Sequence, residues 1–87
     1  MTVFHLTVAT PQGKAFDGDV VNVSLRGTLG DLAIMAGHIP FTTSICAGVC
    51  TVLTDEQTKK TAQIGEGVLV VSADGTRILT DRFQWEE

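Results

Sequence analysis

Three side chains near the middle of the chain are of the types that nucleophilic catalysis uses. His38, Ser44 and Cys46 lie close together in the sequence, and a serine or cysteine becomes a nucleophile when a histidine takes its proton. No glycine pattern of the nucleophile-elbow kind surrounds either candidate. The sequence therefore gives no positive support for a catalytic nucleophile.

Carboxylates and histidines offer two further kinds of site. Asp17, Asp19 and Asp31 stand in or near predicted turns, which can converge for acid–base chemistry. A metal site would need His5 and His38 to meet, although His5 is expected to face outward from a strand. Turn carboxylates are usually just solvated. The chain also lacks a glycine-rich phosphate loop followed by a helix. We therefore assign no catalytic, metal or cofactor-binding residue and expect no cofactor.

The two cysteines, Cys46 and Cys50, both lie in apolar segments. Zinc sites usually need four ligands, and these two are not spaced as a metal-binding pair. We expect both to be buried as small hydrophobic residues, with a disulfide as the alternative. Two free thiols fit a cytosolic compartment.

The composition describes one folded domain. The 87 residues are 44% hydrophobic and 18% charged, which excludes a disordered chain. The net charge is −4 and Lys59–Lys60 is the one adjacent basic pair, whereas nucleic acid binding needs clustered Lys and Arg. The longest apolar run, from Leu32 to Ala36, is far shorter than the roughly 20 residues of a membrane span. We expect neither nucleic acid binding nor direct insertion into a membrane.

Short alternating segments with turn signals between them predict a β-protein. Val, Ile and Thr account for 27 of the 87 residues, and these β-branched residues favour strands. We find no confident amphipathic helix. The pattern predicts an antiparallel β-sandwich or flattened barrel of eight to ten strands. The predicted strands cover residues 3–10, 14–17, 20–26, 31–35, 49–54, 59–64, 68–72 and 76–80, with a further apolar segment between Pro40 and Gly48.

Alternation also predicts which side chains face the interior. In the first strand Phe4, Leu6 and Val8 share one face, with His5 on the polar face. In the segment from Val20 to Arg26 the predicted inner face is Val21, Val23 and Leu25. The run from Val68 to Ser72 is expected to be buried on both faces. The aliphatic residues that we expect to fill the core include Ile34, Val52, Val68, Val70 and Ile78.

The most unusual local sequence is Gly30-Asp31-Leu32-Ala33-Ile34-Met35-Ala36-Gly37-His38-Ile39-Pro40. Gly37 permits a positive φ, and Pro40 holds Ile39 in an extended conformation. The stretch therefore predicts a strand, a sharp corner with His38 in it, and another strand. His38 either stabilises the turn through backbone hydrogen bonds or contacts a partner.

This stretch resembles the epsilon subunit of the F-type ATP synthases. That family has a glycine, an acid and an aliphatic pair, followed by Gly-His-x-Pro. Further matches occur in order along the chain, at Phe16-Asp17-Gly18, Val20–Gly27, Ala47-Gly48-Val49, Gly65–Val71 and Ile78–Asp81. The resemblance covers nearly the whole chain from Val3 to Asp81.

The resemblance implies a ten-stranded β-sandwich without an active site. The sandwich would bind the gamma subunit and rest on the membrane c-ring as part of the rotor, at the cytoplasmic face of the bacterial inner membrane or the equivalent side of an organelle membrane. It also implies that Asp31 and His38 contact the c-ring, with Gly30, Gly37 and Pro40 shaping the loops. Loops of the c-ring commonly carry a basic residue, which suits an acid at position 31.

The resemblance fails at the end of the chain. Family members usually continue into a C-terminal helical hairpin that inhibits ATP hydrolysis and in some members binds ATP. Residues 1–87 read as a single sandwich domain without that hairpin, so we do not carry over its roles. Phe83 and Trp85 depart from the family pattern, and we expect them either to cover a sheet edge or to form an apolar surface for a partner.

Two other functions compete with a rotor subunit. A small-ligand-binding β-barrel would need a sizeable apolar cavity, whereas small barrels usually pack solid. A hydrolase would need His38 together with Ser44 or Cys46.

Overall fold

The computed structural model describes residues 3–27, 30–35 and 40–86, and these residues form ten β-strands. The strands are β1 (Phe4–Thr10), β2 (Gly13–Val20), β3 (Asn22–Gly27), β4 (Gly30–Met35), β5 (Phe41–Ile45), β6 (Gly48–Leu53), β7 (Lys59–Ile64), β8 (Gly67–Ser72), β9 (Gly75–Thr80) and β10 (Phe83–Trp85). The predicted all-β fold is confirmed.

The strands divide into two five-stranded sheets. The first sheet has the order β4-β3-β6-β7-β10 and the second has the order β5-β8-β9-β1-β2. The sheets are joined where Gly27 at the end of β3 pairs with Ile45 at the end of β5. All pairs are antiparallel except β1 with β9, which run parallel. The result is a sandwich that is also a nearly closed, flattened barrel.

The turns divide between the two ends of the sandwich. The registers put the turns β1–β2, β3–β4, β5–β6, β7–β8 and β9–β10 at one end, which we call the Gly30 end. The connections β2–β3, β4–β5, β6–β7 and β8–β9 lie at the other, the Pro40 end.

Aliphatic side chains from both sheets fill the space between them. Fully buried residues include Leu6 and Val8 on β1, Val23 on β3, Val52 on β6 and Ile78 on β9. Leu25 and Ile34 are also buried, so the inner faces predicted for the first, third and fourth strands are largely confirmed. His5 is exposed, as predicted.

Two predictions of inward-facing valines are wrong. Leu69 and Val71 are the buried residues of β8, whereas Val68 and Val70 are half-buried on the outer face. Val21 lies in the bend between β2 and β3, and Val20, at the end of β2, takes the buried position instead. The run from Val68 to Val71 is apolar throughout, and Val20 and Val21 are adjacent, so alternation does not decide which of these valines faces inward.

Two connections cross between the sheets side by side at the Gly30 end. The Gly65 N–H donates to the Arg82 carbonyl at 3.0 Å, and the Asp81 N–H donates to the Glu66 carbonyl at 3.3 Å. A Cβ on Gly67 would collide with the Leu79 carbonyl oxygen. The close approach of these two connections therefore requires glycine at position 67.

The hydroxyl of Thr80 lies inside this crossing. Its Oγ1 lies 3.0 Å from the Gly65 carbonyl, 3.1 Å from that of Glu66 and 3.2 Å from that of Arg82. A hydroxyl has one proton and donates to one of these at a time. Thr80 is 6% exposed, so this buried hydroxyl is a common partner for carbonyls of both connections.

Candidate partner-contact surface

Asp31 lies at the Gly30 end of β4, directly opposite Arg26 on β3. The Arg26 Nε donates to the Asp31 Oδ1 at 3.3 Å, and the Asp31 side chain is 83% exposed. Gly30 opens the strand with φ of +132°, a conformation that favours glycine. The backbone therefore holds the carboxylate in solvent beside one cation, where such a pair contributes only about 0–1 kcal/mol to stability. Most of its charge stays available to a partner.

Gly37 and His38 lie outside the described residues. Their nearest described neighbours in the chain are Met35 and Pro40, which are both exposed and lie at the Pro40 end. The six residues of β4 separate Asp31 from that end by roughly 13 Å or more. The expectation that Asp31 and His38 contact one partner therefore stays a prediction.

Apart from the Arg26–Asp31 pair, the outer face of the first sheet next to Asp31 is poor in charge. An open groove there is lined by Ser24, Arg26, Leu32, Ala33 and Val49, among others. Met35 and Val49 on this face are 57% and 48% exposed. Depletion of charge with exposed apolar side chains is typical of the centre of a protein interface. This face suits contact with a protein.

A second polar cluster lies on β1 and β2. The imidazole of His5 has Nε2 against Asp17 and Nδ1 3.4 Å from Asp19, while Lys14 donates to Asp17 at 3.0 Å. The hydrogen bond from Lys14, aided by His5 and opposed by desolvation, lowers the pKa of Asp17. The structure thus brings Asp17 and Asp19 together around a histidine, while Asp31 belongs to a different sheet.

The residues considered for nucleophilic or metal chemistry do not form a site among the described residues. Ser44 is exposed on β5, and the Cys46 thiol contacts the Gly27 carbonyl at 3.7 Å. Both cysteines are free, with Cys50 buried and Cys46 only half-buried, so the prediction of two buried cysteines holds for Cys50 alone. No group of three or more His, Cys, Asp or Glu within the described ranges could hold a metal ion.

Burial explains the chemistry of the Cys50 thiol. Desolvation raises the pKa of Cys50 to about 12. The thiolate, which is the reactive form, is therefore only a very small fraction of Cys50 at neutral pH. Cys50 acts as a core residue between the sheets.

The sequence did not predict the strand formed by Phe83, Gln84 and Trp85. Here β10 pairs with β7, and both aromatic side chains pack against the core. Of the two roles considered for these rings, covering an edge is the one observed. The alternation of two aromatic residues around Gln84 was the signal for this strand.

The part of the chain that the structure describes has no helix long and apolar enough to cross a membrane.

Comparison with known proteins gives a consistent family. Residues 3–86 match the family model of the ATP synthase Delta/Epsilon chain, beta-sandwich domain. The chain is 36% identical over 84 residues to the sodium ion specific ATP synthase epsilon chain of Acetobacterium woodii, and 40% identical over 85 residues to the ATP synthase epsilon chain of Caldanaerobacter subterraneus. These alignments cover 97% of this chain, but only 63% and 61% of the relatives.

Solved structures share the fold. A chain of the Euglena gracilis mitochondrial ATP synthase superposes with a TM-score of 0.89 at 20% identity, over 98% of this chain and 54% of that one. A chain of the Tetrahymena thermophila mitochondrial ATP synthase central stalk and c-ring superposes with a TM-score of 0.76 at 13% identity, over 91% of this chain and 63% of that one. With the match of the family model over residues 3–86, the chain belongs to the ATP synthase Delta/Epsilon chain, beta-sandwich domain family.

Proposed function

We propose that this chain is the β-sandwich part of a non-catalytic rotor subunit of an F-type ATP synthase. The observation that carries the proposal is the identity of 36–40% to curated ATP synthase epsilon chains along nearly the whole of this chain. Its task is mechanical, because it links the gamma subunit to the membrane c-ring so that torque passes between them. A sandwich with a packed interior suits this task, since dense cores are barely compressible and transmit strain.

The proposed contact with the c-ring is made by Asp31 and His38, with Gly30, Gly37 and Pro40 shaping the loops. The exposure of Asp31 at the Gly30 end supports its part in this contact. Its carboxylate would meet basic side chains of the c-ring loops. Such exposed pairs set orientation and association rate more than affinity.

The proposal puts the subunit on the cytoplasmic face of the bacterial inner membrane, or on the equivalent side of an organelle membrane. There it would be held by its partner subunits and would not enter the bilayer. The exposed polar residues of the Gly30 end, such as Arg26 and Asp31, suit contact with polar loops.

No observation favours a small-ligand-binding barrel. The inner faces of both sheets contribute aliphatic side chains to one buried cluster. The groove beside Asp31 is open and lies outside that cluster.

Depletion of the subunit from energised membranes tests the proposal. We expect ATP hydrolysis by the catalytic head to continue, while ion pumping and ATP synthesis decline. The subunit should also copurify with gamma and with the c-ring. Normal pumping and synthesis in membranes that lack this chain would overturn the proposal.

A further inference from the structure

The register of the β3–β4 hairpin determines which residues of β4 direct their N–H and C=O groups toward β3 and which direct them away from it. Gly27 pairs with Gly30 across a two-residue loop, so these two residues exchange both ladder hydrogen bonds. Hydrogen-bonded and non-hydrogen-bonded pairs alternate along an antiparallel ladder. Leu32 and Ile34 are therefore the next residues of β4 whose backbone groups hydrogen-bond to β3. The N–H and C=O groups of the residues between them point away from β3.

The other edge of β3 agrees with this assignment. The Arg26 carbonyl accepts a hydrogen bond from the Cys46 N–H at 2.9 Å, so the groups of Arg26 point away from β4. Its partner in the register is Asp31. The backbone groups of Asp31, Ala33 and Met35 therefore line the free edge of β4.

The free edge of β4 lacks the protection against further pairing that the edge strands β2 and β10 have. The edge strand β2 carries a bulge at Ala15 and the charged residues Lys14, Asp17 and Asp19, while β10 has three residues. Bulges, charges and shortness are the usual protections of an edge strand against pairing. The β4 strand has six residues in unbroken register, without Pro or Lys, and among the described residues it pairs with β3 alone.

We propose that the free edge of β4 binds an extended segment of the gamma subunit as an additional strand. This inference rests on the proposed function. With the Gly30 end on the c-ring, the edge from Asp31 to Met35 leads away from the c-ring along the side of the sandwich, where it stays free for the gamma subunit of the proposed function. Main-chain hydrogen bonds would come from Asp31, Ala33 and Met35, as in other cases of β-augmentation.

The side chains of β4 define the chemistry of that segment. Ala33 and the 57% exposed Met35 require small or apolar residues beside them, while the carboxylate of Asp31 stays with Arg26 and the proposed c-ring contact. A second copy of β4 meets this requirement poorly, because antiparallel pairing centred on Ala33 would put Asp31 beside Met35.

A proline at position 33 tests the added strand. Ala33→Pro removes an N–H that points away from β3, so the fold should survive, since edge strands tolerate proline at such positions. We expect its affinity for purified gamma to fall about tenfold or more, the effect of about one lost hydrogen bond with its steric clash. Ala33→Ser keeps the N–H and should bind like the wild type. Equal binding of a folded Ala33→Pro chain, or a dimer of the wild-type chain formed through this edge, overturns the proposal.

Hydrogen exchange of the β4 amides provides a second measurement, and it distinguishes loss of the added strand from a general loss of stability. In the free chain the amides of Ala33 and Met35 should exchange fast, while those of Leu32 and Ile34 are protected by β3. Binding of gamma should slow the first pair selectively. Binding of gamma without this slowing contradicts the added strand and leaves the rotor function standing, whereas failure of the wild type to bind gamma contradicts both.

Discussion

The indole of Trp85 on β10 packs edge-on against the phenyl ring of Phe16 on β2, with centroids 5.7 Å apart and planes at 75°. These strands end the two sheets on the same side of the sandwich. Phe83 adds a second edge-on contact to Trp85 at 4.9 Å, and the Lys60 ammonium lies 5.6 Å from the indole centroid. The rings therefore close the side where neither β2 nor β10 has another strand partner among the described residues.

We expect Trp85→Ala to lower the free energy of unfolding by about 2–3 kcal/mol, somewhat less than for a fully buried aromatic residue. Urea unfolding measures this loss. A double-mutant cycle with Phe16→Leu and Trp85→Leu should give a coupling of about 0.5–1.5 kcal/mol, the usual value for an aromatic pair. Additive effects of the two changes would show that the ring contact does not stabilise the closed side.

Alternation along the chain predicted the fold and most of the core, because a strand with one buried face repeats every second residue. It failed in β8, where Val68, Leu69, Val70 and Val71 are all apolar and show no period. There the register decides, since Leu69 pairs with the buried Ile78 of β9. That pairing is long-range information which a local pattern does not contain.

The candidate contact surface was only partly predictable. Asp31 could be placed in an exposed strand start, because Gly30 favours a turn and an acid favours solvent. Its partner Arg26 follows from the hairpin register. The meeting of Phe16 and Trp85 was not predictable, because it depends on how two sheets close on each other across most of the chain.

Charge reversal at position 31 tests the docking role that we propose for that residue. We expect Asp31→Arg to weaken association with the c-ring by about 1 kcal/mol without unfolding the domain, because the carboxylate is exposed and its pairing is screened. The difference should shrink as salt is added. Asp74→Arg, the same reversal in the exposed turn at the Pro40 end, serves as the control. An equal effect of both variants would assign the loss to net charge alone.

The hydroxyl of Thr80 should stabilise the crossing of the two connections. Thr80→Val keeps the shape of the side chain but leaves carbonyls of Gly65 and Glu66 without this donor, which costs about 1–3 kcal/mol when the groups are buried. Thr80→Ser retains the hydroxyl and should lose less. Thermal unfolding compares the two, and equal losses would mean that the methyl group, not the hydroxyl, matters at this position.

The loop between β6 and β7 should lose stability in acid. The N–H groups of Gln57 and Thr58 donate to the Asp55 Oδ1 at 2.7 and 2.8 Å. The Gln57 N–H, followed by the side chain and the N–H of Thr58, lowers the pKa of Asp55 below its ordinary value of 3.8. A lowered pKa in the folded state means that the carboxylate stabilises the fold above pH 3.8 and that this contribution disappears as the pH falls through the lower folded value.

Variants of this loop separate the effect of Asp55 from general acid unfolding. Asp55→Asn still accepts both hydrogen bonds but does not titrate, so its stability should fall less than that of the wild type between about pH 6 and pH 3. Glu56→Gln changes an exposed neighbour and should retain the acid dependence of the wild type. Parallel pH profiles for all three chains would contradict the assigned role.

The two thiols should differ in reactivity while the domain is folded. With burial raising the pKa of Cys50 to about 12, only about one thiol in ten thousand is ionised at pH 8, and the side chain is fully buried as well. A disulfide reagent should therefore modify Cys46 first and Cys50 only after urea is added. Cys46→Ser should abolish the early phase and leave the late one. Rapid modification of two thiols in the folded wild type would show that β6 opens to solvent, because no other route exposes a side chain that lies between two packed sheets.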